Sequence, residues 1–170
     1  MKSKKNLVLV GMMGSGKSSI GKLLSEKLNY EFIDIDNKIE EIEKKTIFEI
    51  FKVKGEKYFR NVEENISIKS LKLQNKIISL GGGGYMNPNI RKNVLNKCTS
   101  VWLNWKHDTL IKRIKNSKKR PLAIKLNIFE LKKLIVERSK IYNSSEHKIN
   151  CDKLKKMQIV EKIIQLYENS

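Results

Sequence analysis

The chain has 170 residues, 39% of them hydrophobic and 32% charged, with a formal net charge of +18. That length suits one domain with a core of its own, the apolar and charged fractions are those of a soluble globular chain, and no apolar run reaches the roughly 20 residues of a membrane span. The positive charge raises a polynucleotide-binding reading, but lysines are spread along the chain in pairs such as Lys44-Lys45, Lys118-Lys119, Lys132-Lys133 and Lys155-Lys156, with no tail or aromatic-interleaved stripe; a solvated surface is the better account, and no nucleic-acid partner is expected.

The N-terminus, MKSKKNLVLVG, is basic and then apolar. Its apolar part is too short for a secretory signal and no small-residue cleavage site follows, so residues 6–10 read as a buried parallel strand and a cytoplasmic location is expected. The strand runs into GMMGSGKSS, which fits G-x-x-x-x-G-K-S/T from Gly11 to Ser18 between a strand and a helix. Gly11, Gly14 and Gly16 let backbone N–H groups face one point, the helix N-terminus adds its dipole, Lys17 reaches the β- and γ-phosphates, and Ser18 ligates Mg²⁺. A nucleoside triphosphate is therefore expected on Gly14, Ser15, Gly16, Lys17, Ser18 and Ser19. The helix covers 17–28, with Ile20, Leu23, Leu24 and Leu28 at helical spacing.

EFIDI (31–35) is the second strand, and Asp34 and Asp36 at its end make up half of the chain's four aspartates. Alternation places both on one side with Phe32. One can complete a Mg²⁺ shell while the other meets an acceptor hydroxyl; alternatively, Asp36 caps the short helix DNKIEEIEKKT. Thr46 and Glu49 form a capping box before IFEIF. Residues 55–73 fit a longer amphipathic helix with Phe59, Val62, Ile66 and Leu73 facing inward. KIISL (76–80) is the third strand and runs into Gly81, Gly82, Gly83 and Gly84. Consecutive glycines are costly to order. Seven of the chain's nine glycines lie in these two loops, both at carboxyl ends of strands, where ligands of parallel sheets bind.

Asn87-Pro88 suits an N-cap followed by proline at the first helical position. TSVWLNW (99–105) is the fourth strand and 108–115 a helix; residues 116–126 are polar, basic and contain Pro121, a mobile excursion. Asn127 and Glu130 open a helix to about Tyr142, HKIN (147–150) is the fifth strand, and 155–168 close with a helix. Such alternation implies a parallel sheet with helices on both faces. Cys98 and Cys151 belong to no CxxC or Cys/His cluster and are expected as free thiols. His107, His147, Trp102 and Trp105 are expected as packing or surface residues.

The chain uses 31 lysines against 5 arginines, so a retained arginine marks a place where a planar fork is not replaceable by a point charge. Arg60 in GEKYFR has Glu63 and Glu64 as ordinary helix partners, Arg120 lies in KNSKKRPL, and Arg138 in VERSKIY sits between Glu137 and Lys140. Taken singly each is an unremarked surface cation; together they form a pattern.

In order and spacing, GMMGSGKS, FIDID, GEKYFR, SLGGG, RPL and ERSKIY resemble the shikimate kinase family over nearly the whole chain. The resemblance implies a single domain, 1–170, with an α/β, three-layer phosphate-loop NTPase fold: a five-stranded parallel sheet, nucleoside-monophosphate-kinase-like, with a mobile lid near 116–126. It implies ATP-dependent phosphorylation of the shikimate 3-hydroxyl, giving shikimate 3-phosphate and ADP on the way to chorismate and the aromatic amino acids. By motif, Ser18 and Asp34 would hold Mg²⁺. Asp36 would bind the substrate hydroxyls and help deprotonate the attacking one. Arg60 and Arg138 would grip the carboxylate, and Gly82 would present its N–H. Lys17 and Arg120, the latter from the lid, would meet the phosphates, with Arg113 on the adenine side. Catalysis would rest on Lys17, Asp36 and Arg120. Shikimate and ATP are the expected partners of a monomer, with no membrane. The family usually cradles adenine with an Asp- or Thr-rich turn containing proline after the last strand; here INCDKLKKMQ has none. A gluconate or nucleoside-monophosphate kinase would share the phosphate loop and lid arginines, without needing the DxD, GGG and two spaced arginines together. An ATP-dependent nucleic-acid-binding module leaves the Asp and Arg positions unexplained.

Overall fold

The computed structural model describes residues 5–116 and 126–169. Five parallel strands form one sheet in the order β2-β3-β1-β4-β5: β1 Asn6–Val10, β2 Glu31–Asp34, β3 Lys76–Ser79, β4 Cys98–Asn104 and β5 His147–Asn150. The seven described helices are α1 Lys17–Leu28, α2 Ile35–Glu43, α3 Ile47–Leu71, α4 Pro88–Lys97, α5 His107–Lys115, α6 Ile128–Tyr142 and α7 Lys156–Glu168. The central strand is buried along its whole length, and its alternation divides the core. Leu7 and Leu9 join Ile77, Val101 and Ile149 in a cluster with α1 and α7. Val8 and Val10 join Ile78, Leu80 and Trp102 in a larger cluster with α2, α3, α4, α5 and α6. Two apolar faces, each covered by helices, make the three expected layers.

Most expected elements lie within a residue or two of their places. The Thr46/Glu49 and Asn127/Glu130 capping boxes both form, and Asn87 caps α4 by accepting from Asn89 N and Ile90 N. Cys98 and Cys151 are buried free thiols, which burial pushes up to about 11 and about 12 respectively, so neither is poised as a nucleophile.

Three details differ from the expectation. First, β2 stops at Asp34, which caps α2 by accepting from Asn37 N at 3.3 Å. Once that carboxylate takes the free amide, the backbone turns and Asp36 falls in the first helical turn, so it is neither the cap nor in strand alternation with Asp34. Phe32 and Asp34 both face α1, against Gly21 and Ser18, while Asp36 turns toward the glycine run. Second, IFEIF and the longer helix are one element, α3, bent at Gly55 with φ 80° and ψ 169°, a conformation open to glycine. Third, α3 ends at Leu71, and Leu73 is 47% exposed rather than inward. The Asn6 side chain takes the Leu71 and Leu73 carbonyls, at 3.2 and 2.7 Å, and turns the chain toward β3.

Candidate active site

All strand ends bearing candidate residues open on the same edge of the sheet. At the end of β1, Gly11, Gly14 and Gly16 adopt φ of 142°, 79° and 88°, values strained for any L side chain. Lys17, 7% exposed, lies back over the loop and donates to the Gly11 and Met12 carbonyls at 2.7 and 3.0 Å. The first turn of α1 has neither a side-chain cap nor an acidic residue, so its amides suit an anion. Ser18 Oγ donates to Asp34 Oδ2 at 2.5 Å, bringing a hydroxyl and a carboxylate to one point. These are hard oxygen donors, and no group of three or more His, Cys, Asp and Glu that could hold a metal occurs among the described residues. Ser19 is exposed beside them.

The glycine run after β3 continues the sheet edge, with Leu80 N donating to Leu9 O at 3.2 Å, and closes in a 3₁₀ turn, Gly84–Met86, through Gly84 N to Gly81 O at 3.0 Å. Here no residue needs positive φ; what is needed is space. A Cβ on Gly81 would lie 2.5 Å from Asp36 Oδ1, and one on Gly83 would lie 2.6 Å from Arg60 Nη1. A Cβ on Gly82 would lie 3.0 Å from the Met13 amide nitrogen, so the two glycine loops abut. The Gly82 carbonyl accepts from Arg138 Nη1 at 3.2 Å and from the Tyr142 hydroxyl. Gly84, which the sequence left without a role, faces Glu63 Oε1 at 3.3 Å from its Cβ position.

Asp36, Arg60, Gly82 and Arg138 are thus brought together. Arg60 also makes ordinary helix pairs, with Glu63 Oε2 at 2.7 Å and Glu56 Oε1 at 3.3 Å; Glu64 is instead engaged by Asn87 and Asn89. Glu63 is a site residue that the sequence reading met only as a pairing partner. It is 2% exposed, and burial pushes its carboxyl above the ordinary range, with Asp36 adding to the rise and Arg60 and Arg138 pulling against it. Its signal was its place on the inward face of α3, four residues after Phe59 and three before Ile66. Tyr142 was missed too, read only as a helix end.

Arg113 donates to the Gly14 carbonyl at 3.3 Å, and its guanidinium lies 3.7 Å from the centre of the Trp105 ring. Trp105, expected as a packing or surface residue, lines a cavity beside the phosphate loop. After β5, Asp152 accepts from Lys106 N at 2.7 Å and Thr109 Oγ1 at 2.8 Å, tying this turn to the start of α5. Arg120 and residues 117–125 of the expected lid lie outside the described residues.

Residues 13–168 match the family model described as Shikimate kinase. The chain belongs to the shikimate kinase family. A shikimate kinase of Persephonella marina is 43% identical over 161 residues, covering 94% of this chain and 97% of the relative. The solved shikimate kinase from Acinetobacter baumannii, in complex with shikimate, superposes with a TM-score of 0.91 at 28% identity, over 98% of this chain and 94% of that one. A gluconokinase from Sinorhizobium meliloti, with a TM-score of 0.60 at 17% identity, shares the fold alone. The chain is therefore a phosphate-loop kinase, a phosphotransferase with an alcohol group as acceptor.

Proposed function

We propose that this chain transfers the γ-phosphoryl group of ATP to the 3-hydroxyl of shikimate, with the first glycine loop holding the donor and the second forming a wall of the acceptor site. The observation that carries this reading is the meeting of the loops at Gly82 and the Met13 amide. Lys17 and Ser18 belong to the first loop and the start of its helix, while Asp36, Arg60 and Arg138 gather on Gly81, Gly83 and Gly82 of the second. The loop amides and Lys17 bind the phosphates. Ser18 and Asp34 are the residues that would hold Mg²⁺; a hydroxyl and one carboxylate suit an ion that keeps phosphate oxygens and waters as its other ligands. An ion held there would supply neutralisation of the charge on the transferring group.

On the acceptor side, Arg60 and Arg138 offer forked cations to a carboxylate, and Asp36 accepts from the substrate hydroxyls and takes the proton of the attacking one. The Gly82 N–H faces the substrate. Glu63 holds Arg60 through its 2.7 Å contact. Arg120, which lies outside the described residues, would by the family's motif meet the phosphates. We expect a single cytoplasmic domain, 1–170, acting as a monomer; among the described residues no helix is long and apolar enough to cross a membrane. The test is ADP release with shikimate, quinate, gluconate and nucleoside monophosphates as acceptors. Turnover with shikimate far above the others is expected, and none with shikimate would overturn the proposal.

A further inference from the structure

Trp105 stands just beyond the end of β4 and makes two contacts that a merely space-filling residue would not need. Its indole Nε1 donates to the Ser15 carbonyl at 2.9 Å, and Ser15 is 1% exposed in the middle of the phosphate loop. Its ring face carries the Arg113 guanidinium, whose carbon lies 3.7 Å from the ring centre. Arg113 in turn reaches the Gly14 carbonyl at 3.3 Å. One aromatic residue thus grips the loop directly and, through an arginine, a second time one residue earlier.

Beside this assembly lies a cavity of about 180 Å³ lined by Trp105, Arg113, Ser15, Gly16, Leu154 and Lys156, among others. It opens from the loop amides that suit phosphate, has apolar walls, carries two cations and has no acidic lining residue. A flat ring tethered to a phosphate chain fits that description. A guanidinium is weakly hydrated and stacks readily on planar groups. A free arginine must give up rotamer freedom to do so; one already laid on an indole has given it up.

Resting on the function proposed above, we infer that Trp105 is the positioning residue of the nucleotide site: its N–H fixes the phosphate loop and its ring holds Arg113 ready to stack on the base. The other wall falls to Leu154 and Lys156, in the turn that lacks a proline. The contacts separate by substitution. Trp105→Phe keeps an aromatic face and loses the N–H donor, whereas Trp105→Leu loses both.

The experiment is an ADP titration followed by intrinsic tryptophan fluorescence, with steady-state kinetics, on wild type, Trp105→Phe, Trp105→Leu and Trp102→Phe. Removing the platform should raise KM for ATP about tenfold in Trp105→Leu, and about threefold or less in Trp105→Phe. KM for shikimate should stay within about twofold in both, since Trp105 lies on the donor side. ADP should change the emission of wild type and Trp102→Phe but not of Trp105→Phe. If Trp105→Leu does not fold, the fluorescence comparison and Trp105→Phe still decide. An undiminished ADP response in Trp105→Phe, or an unchanged KM for ATP in Trp105→Leu, overturns the inference. ADP binding with this signature but no turnover of shikimate overturns the reaction and leaves Trp105 in its role.

Discussion

The two glycine loops use the same residue for opposite reasons. In the first, Gly11, Gly14 and Gly16 all have positive φ, and a Cβ at Gly16 would meet nothing within 4 Å. There, glycine supplies a backbone conformation that turns amides toward one point. In the second, none of the four glycines has positive φ, but a Cβ at Gly81 or Gly83 would lie within 2.6 Å of the Asp36 carboxylate or the Arg60 guanidinium. There, glycine supplies room, so that charged groups from α2 and α3 close on bare backbone. A loop curled by positive φ and a loop cleared of side chains can look alike in sequence and differ in what a single methyl group would do to them.

The donor loop is broken most severely at its charge. Lys17→Ala should lower kcat about 10³-fold, the scale of losing a donor aimed at developing charge, while KM for shikimate stays within a few-fold; activity within tenfold of wild type would remove Lys17 from the chemistry. On the acceptor side, Arg138→Lys should lower kcat/KM for shikimate about 10²-fold and leave KM for ATP near its normal value, because an ammonium does not reproduce a bidentate fork. Near-normal turnover would show that Arg138 serves only the Gly82 carbonyl.

Gly16→Ala probes conformation without crowding. It should cost about 1–2 kcal/mol of stability, a few degrees in Tm, because the left-handed backbone resists a Cβ even in open space. A variant as stable as wild type would mean that the loop relaxes freely.

The smallest effect belongs to Glu63. Its folded-state carboxyl lies above the ordinary value of 4.5 because it is buried, so ionising it opposes folding. That cost is absent below the ordinary value and grows as pH rises through it toward the folded value. Glu63→Gln does not titrate, so the Tm of the variant relative to wild type should rise between acid and neutral pH. A flat difference would contradict a raised carboxyl.

Features decided by neighbouring residues were legible in the sequence. The phosphate loop, both capping boxes and the Asn87 cap rest on spacings of two to seven residues, and all form. What was hidden depends on distant partners. The end of α3 is set by Asn6, 65 residues away in sequence from Leu71. Trp105 meets a carbonyl 90 residues earlier, so nothing around it distinguished it from a strand-end packing residue. The sequence offered Asp36 as the cap of α2; Asp34 takes that place instead, and its carboxylate also accepts from Ser18, 16 residues earlier. Gly84 gains its meaning only from Glu63, which faces it across the glycine run, and Glu63 gains its own from Arg60 and from that run together.

The division of labour between the loops is tested most directly by the two Michaelis constants of Gly83→Ala. The added methyl displaces the flexible end of Arg60, 2.6 Å away, and leaves the phosphate loop untouched. The account predicts KM for shikimate raised about tenfold, on the scale of one weakened charged contact, with KM for ATP and Tm unchanged. A variant that instead loses affinity for ATP while binding shikimate normally would contradict it.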